Sequence, residues 1–377
     1  LVKGGHEMSL LTFEPGEADE LAVRDSLAAD GIEWHWLRYH MRPSVPATLF
    51  DIANAVRFIQ KLMKKRRFDI LHARSHVPMM MAALARNSSS HKPKLLFDIR
   101  GFMPEEYVDA GVWPDGGAIY RNVKRAESWL MKQADGFVVL TERAREILAD
   151  QIGKRPVEVI PCCVDLKRFE TANEDSRRDI RAKLGIGDRY AIAYVGAFGG
   201  WYLTLETADF LAAAKKKYPD LFTLILTQSD PEVIRSLLRE RGFGENDFFV
   251  GRVASAEIPK YLSAADTALS FIKNCYSKQA SSPTKNAEYL ACGLPIIANT
   301  GIGDTDRQIS EDGSGILIHD LTDSGYKNAV EAISSFGSDT PEICKAAART
   351  RFDLVDVGGV RYRRMYDSLA SEGAVSR

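Results

Sequence analysis

Short apolar, β-branched runs alternate with longer stretches whose apolar positions recur every three or four residues, almost to the end of the chain. Short apolar runs of four to eight residues predict buried strands and the longer pattern predicts helices. Strands are expected at 8–13, 33–37, 69–72, 94–99, 136–140 and 157–160 in the first half, and at 191–195, 222–227, 248–250, 267–271, 295–298 and 315–318 in the second. Strands alternating with helices imply parallel sheets covered on both faces, an α/β class with two doubly wound units. Residues 165–188 lose the strand pattern and become highly charged, which places a junction near 166–172. The division expected is 1–168, 169–350 and a late amphipathic helix in 351–377 that crosses back to the first unit.

Composition narrows the class further. A chain of 377 residues exceeds what one hydrophobic core usually organises. Fifty basic and 51 acidic residues leave a net charge of -1, which argues against a surface built to coat nucleic acid. An anionic ligand must therefore be met locally. Five cysteines form no CxxC pair and no zinc spacing, which fits reduced thiols, a cytoplasmic setting and no metal site. No apolar run reaches the ~18 residues of a membrane span. The opening "LVKGGHEMSLLTF" reads as a helix end, a Gly4-Gly5 stop and a strand, so a preceding strand and most of a helix, ~25 to 30 residues, are expected before it.

The stretch "SPTKNAEYLACGLPII" at 282–297 carries the most chemistry. Ser282 reads as an N-cap, Pro283 as the first helical residue and Gly293 as the stop, giving a helix over 283–292. Lys285 then sits in a first turn whose free N–H groups are already partly positive. An anion resolves the conflict: a helix N-terminus with a nearby cation is a phosphate site, and Ser281, Ser282 and Thr284 add hydroxyl donors. Glu288, three residues on, is an acceptor suited to paired sugar hydroxyls. The alternative is a solvated i,i+3 pair worth a few tenths of a kcal/mol. Position favours the ligand: this helix starts at the carboxyl edge of a parallel sheet, where open α/β domains bind.

Three segments resemble the family 4 glycosyltransferases of the GT-B fold. "VEVIPCCVDLKRF" is similar to their interdomain signature, "FFVGRVASAEIPKYLSAADTAL" to the next conserved block, and "SPTKNAEYLACGLPIIANTGIGD" to their donor-site segment. The resemblance implies two Rossmann-like domains around a cleft, with the donor mainly in the second. It makes Glu288 the ribose ligand, and Lys285 with the N–H groups of 282–284 the diphosphate cradle. Gly196, Gly199 and Gly200, in "VGAFGGWY", would let the backbone approach the phosphates or the sugar. Arg252 and Val253 would flank the base. Two departures stand out: the first of the family's paired glutamates falls on Ala280, and the usual Arg and Lys after the first strand of the second domain are absent. Members that carry "SPTK" and a "GGWY"-like turn form a divergent subgroup that this chain resembles.

In the first domain, "FDIRGFMPEE" places Asp98 and Arg100 at a strand end facing the cleft, where the family has a histidine; they either replace it or form a structural ion pair. Glu105 and Glu106 are candidates for the acceptor side or for a base, and equally read as an acidic first helical turn. Arg74 and His76 in "LHARSH" line the acceptor side, or are satisfied loop residues. The basic run Lys61, Lys64, Lys65, Arg66 and Arg67 complements a helix C-terminus, with peripheral contact to an anionic membrane as the sharper reading.

The resemblance implies transfer of a sugar from a nucleoside diphosphate sugar to a glycan or lipid-linked acceptor, with retention of configuration, no metal and no other cofactor. Its rivals are a sugar-nucleotide epimerase and a non-catalytic nucleotide-sugar-binding protein. A dehydrogenase is disfavoured, because no second-domain turn provides GxGxxG.

Overall fold

A computed structural model of the protein describes residues 1–16 and 20–374. The strands are β1 (Met8–Glu14), β2 (Ile32–Arg38), β3 (Ile70–Arg74), β4 (Lys94–Ile99), β5 (Gly136–Val139), β6 (Val157–Val159), β7 (Ala191–Val195), β8 (Phe222–Leu226), β9 (Phe248–Gly251), β10 (Thr267–Ser270), β11 (Ile296–Asn299) and β12 (Gly315–Ile318). Every expected strand is present, with ends shifted by no more than two residues.

The second domain is one parallel sheet in the order β12-β11-β10-β7-β8-β9. The chain runs outward from β7 to β9, then returns to lay β10 on the other side of β7. The crossover helices therefore change face between β7 and β10, and a crevice opens outside the carboxyl ends of those two strands. Both "AIAYV" of β7 and "FTLIL" of β8 lack polar alternation because helices cover both faces of the sheet.

The first domain is divided between two sheets. A four-stranded parallel sheet, β3-β4-β5-β6, stands apart from the parallel pair β1-β2, and β1 and β3 share no ladder. The helix Val360–Ala374 packs on this domain: Met365, Tyr366 and Leu369 are buried with Leu96, Val138 and Ile160, and Leu1, Met8 and Ile70 pack against the same cluster. The helix lies so close over β5 that a Cβ on Gly136 would come within 3.1 Å of both Met365 and Leu369.

The chain crosses between domains at two adjacent places. Val164 donates its N–H to the Phe352 carbonyl at 2.8 Å, and Leu354 donates to the Val164 carbonyl at 3.0 Å. Among the described residues, no helix is long and apolar enough to cross a membrane.

Candidate functional site at the carboxyl edge of the second sheet

The helix Thr284–Ala291 begins at the crevice. Pro283, with φ -65° and ψ 115°, is its N-cap rather than its first helical residue. Ser282 does not cap it, because its hydroxyl accepts the N–H of Cys162 in the interdomain segment at 3.1 Å. The amides of Thr284 and Lys285 are the first of the helix and have no intrahelical acceptor. Tyr289 fixes the helix to both strands at the switch point: its hydroxyl accepts the Val195 N–H at 2.7 Å and donates to the Leu269 carbonyl at 3.2 Å.

Lys285 points inward, and its side chain is 8% exposed. Its Nζ lies 4.4 Å from the centre of the Tyr194 ring and 4.5 Å from that of Tyr202, and among the described residues it has no hydrogen-bond partner. Two π faces attract a cation, yet burial dominates and lowers the ammonium pKa to about 7. Glu288 is not its ion-pair partner. That carboxylate lies 3.9 Å from Arg168, and burial raises its pKa against the opposing charge of Arg168. Arg168 also donates to the carbonyl of Ser255, and to its hydroxyl at 2.9 Å.

The glycine turn follows β7. Gly196, Gly199 and Gly200 have φ of 145°, 81° and 62°, a region open to glycine and strained for other residues. Three amides of the turn are engaged internally: Gly196 on Leu226, Phe198 on the Ser229 hydroxyl and Gly199 on the Thr204 hydroxyl. The turn therefore approaches the crevice with much of its donor capacity already used. Arg252 donates to the Gln228 carbonyl at 2.7 Å, and Val253 packs against the core. Ser281 is half-buried, and Thr284 is exposed at the helix start.

On the first-domain side, the expectation that Asp98 faces the cleft is corrected. Its side chain is 1% exposed and sits under the helix Val360–Ala374, accepting from Tyr362 at 2.8 Å with His72 at 3.4 Å. Burial would raise its pKa, but the bonds from His72 and Tyr362 and the Arg100 charge outweigh that and lower it. Arg100 lies 3.6 Å from Asp98 and reaches Cys162 Sγ at 3.4 Å. The structural ion pair is what the structure contains. His76 is likewise withdrawn, buried against Glu127 at 3.0 Å. Arg74 is exposed at the end of β3. Glu105 is held by Lys124 at 2.9 Å and by the Tyr120 hydroxyl at 3.1 Å. Of the basic run, Arg66 pairs with Glu33 at 2.6 Å.

Glu106 reaches across the cleft. Its carboxylate lies 3.0 Å from Nζ of Lys278, which is buried on the Trp201 ring at 3.9 Å. Beside it, Asp109 accepts the Ser277 N–H at 2.9 Å and Phe102 stacks on Tyr276. Lys278, Trp201, Tyr202, Tyr194 and Arg168, which the structure brings to this edge, belong to none of the sequence candidates. The sequence signal for two of them is the aromatic pair in "GGWY". A cavity of about 960 Å³ at the opposite edge of the second domain is lined by none of the candidate residues. Among the described residues, no group of three or more His, Cys, Asp or Glu is placed to hold a metal ion.

Residues 1–168 match the model of Glycosyltransferase Family 4, and residues 176–351 that of Glycosyl transferases group 1. The chain belongs to the GT-B glycosyltransferases. A 2-deoxystreptamine glucosyltransferase of Streptomyces kanamyceticus is 28% identical over 156 residues, 39% of this chain and 39% of that relative. An alpha-monoglucosyldiacylglycerol synthase of Streptococcus pneumoniae is 23% identical over 282 residues, 71% of this glycosyltransferase and 60% of the relative. The alignments thus span less than two thirds of either relative's length. Anabaena HepE, solved in complex with UDP and glucose, superposes with a TM-score of 0.69 at 15% identity, covering 97% of this chain and 100% of that one. At that identity the likeness is one of fold.

Proposed function

We propose that this glycosyltransferase moves a sugar from a nucleoside diphosphate sugar to a glycan or lipid-linked acceptor, with retention of configuration and without a metal or other cofactor. One observation carries the reading: a buried lysine that has no hydrogen-bond partner among the described residues stands in the first turn of a helix at the switch point, one turn from a carboxylate whose nearby cation is Arg168. A diphosphate supplies the missing acceptor for Lys285 and for the free amides of Thr284 and Lys285, and ribose hydroxyls suit Glu288. A relative named as a glucosyltransferase and the UDP and glucose bound in HepE support the same class of donor.

In this reading the acceptor hydroxyl attacks the anomeric carbon from the face the diphosphate leaves. The new C–O bond forms as the bond to phosphate breaks, and the departing phosphate oxygen takes the acceptor proton. The ammonium of Lys285 and the helix amides stabilise the charge that develops on the leaving group. Glu106, Lys278 and Trp201 join the two domains over the crevice, so closure there would exclude water from the donor. The five cysteines are free, which fits action in a reducing, cytoplasmic compartment, with the acceptor presented in solution or at a membrane face.

The test is to incubate the protein with UDP, GDP and dTDP sugars, with and without envelope glycans and with a chelator present. Free nucleoside diphosphate and product configuration are read by NMR. Release that requires acceptor and keeps the anomeric configuration is the expected result. Altered free sugar without acceptor would make it an epimerase, and tight binding without turnover a binding protein.

A further inference from the structure

The surroundings of Lys285 pose a problem for any ligand, because Nζ is sealed. The atom has essentially no accessible surface and no hydrogen-bond partner among the described residues, and the centres of two tyrosine rings lie within 4.5 Å of it. An anion cannot come within hydrogen-bond distance while both rings stay in place.

The two rings are held differently. Tyr194 belongs to β7, is 1% exposed, stacks on Phe198 at 4.7 Å and donates its hydroxyl to the Ala197 carbonyl at 2.6 Å. Tyr202 is half-exposed and stands at the end of the turn in which Gly199 and Gly200 take left-handed φ. Its backbone is tied to Gly199 at 3.1 Å and bridges to Ile272. The neighbouring Trp201 ring carries the Lys278 ammonium, whereas no side-chain hydrogen bond holds Tyr202 among the described residues, so Tyr202 is the less restrained of the two.

We propose that Tyr202 is a gate over Lys285: its ring covers the amine when the donor pocket is empty and swings aside to let the diphosphate reach Nζ. The inference rests on the donor site proposed above and adds its entry step. The ionisable groups in contact with the amine are Tyr194 from β7 and Tyr202 from the turn. Tyr194 is fixed by the hydrogen bond of its hydroxyl, which leaves Tyr202 as the element that opens. The lowered pKa of Lys285 agrees with a closed gate, since desolvation is its cause.

The experiment is amine labelling with trinitrobenzenesulfonate in mildly alkaline buffer, with Lys285 and the exposed Lys64 followed by peptide mass mapping. In the wild type Lys285 should label far more slowly than Lys64. Tyr202→Ala should raise the Lys285 rate about tenfold or more at an unchanged Lys64 rate, as removal of a local opening step requires. Tyr202→Phe, which keeps the ring, should stay slow. Equal Lys285 rates in wild type and Tyr202→Ala would overturn the gate. A second measurement uses the wild type alone: the observed rate of pyrophosphate binding should level off with concentration, and a rate that rises linearly throughout would also overturn it. The donor reading is tested separately by UDP in the labelling mixture. Acceleration by Tyr202→Ala without UDP protection keeps the gate and removes the donor site, whereas UDP protection without acceleration does the reverse.

Discussion

Nζ of Lys285 lies 4.4 Å from the centre of the Tyr194 ring, with no carboxylate or carbonyl among the described residues to accept its protons. A lysine so placed opposes folding whenever it is charged. Its folded pKa is lowered to about 7 by burial, while the unfolded chain keeps the ordinary value near 10.4. Below about pH 7 both states hold the proton and the folded state bears the full penalty. Between about 7 and 10.4 the unfolded state binds the extra proton, so this site's contribution to stability rises with pH. Lys285→Met should remove that slope and stabilise the empty protein below about pH 7 by on the order of 4 kcal/mol. Chemical denaturation of both proteins across a pH series checks it; parallel stability curves would exclude a desolvated amine.

Tyr289→Phe should be destabilising. The change strands the Val195 N–H and the Leu269 carbonyl, which the hydroxyl now satisfies, inside the second core. A loss of about 1–3 kcal/mol is expected from urea midpoints. A neutral effect would mean that the helix is positioned by packing alone.

Asp98→Asn separates structural from catalytic service in the first domain. The carboxylate joins Tyr362 of the final helix to His72 and Arg100. Its loss should lower the melting temperature by several degrees, the scale of about 1–3 kcal/mol in a chain this size, and leave nucleoside diphosphate affinity unchanged. A weakened diphosphate affinity at wild-type stability would return Asp98 to the cleft.

How far the molecule was legible in its sequence depended on the range of the forces involved. The run "AIAYV" announced a doubly covered strand because burial on both faces removes alternation locally, and the parallel doubly wound class followed from such runs. Lys285 and Glu288 were legible because a cation in the first turn of a helix is a local contradiction. The pairing of Lys278 with Glu106 was not, since it joins residues 172 positions apart across two domains. The burial of Asp98 was also hidden: its strand-end position is the same whether the cleft or the final helix lies above it. Ser282 misled for a related reason, because its hydroxyl serves Cys162 from the other domain, a partner no capping rule foresees.

Glu288→Gln should discriminate among ligands. If its carboxylate holds ribose hydroxyls, UDP affinity falls by about 1.5–3 kcal/mol, the loss of bonds to a charged acceptor, while pyrophosphate affinity is unchanged. Calorimetric titration with both ligands reads this directly. Equal losses for both would place Glu288 beside the phosphates instead.

The most direct test of the donor site is calorimetric titration of UDP into wild-type protein and Lys285→Met near neutral pH. The account predicts that the variant, folded and at least as stable as the wild type, binds UDP about 1.5–3 kcal/mol more weakly, roughly 10- to 150-fold. Equal affinities would show that no diphosphate meets this lysine and would contradict the account.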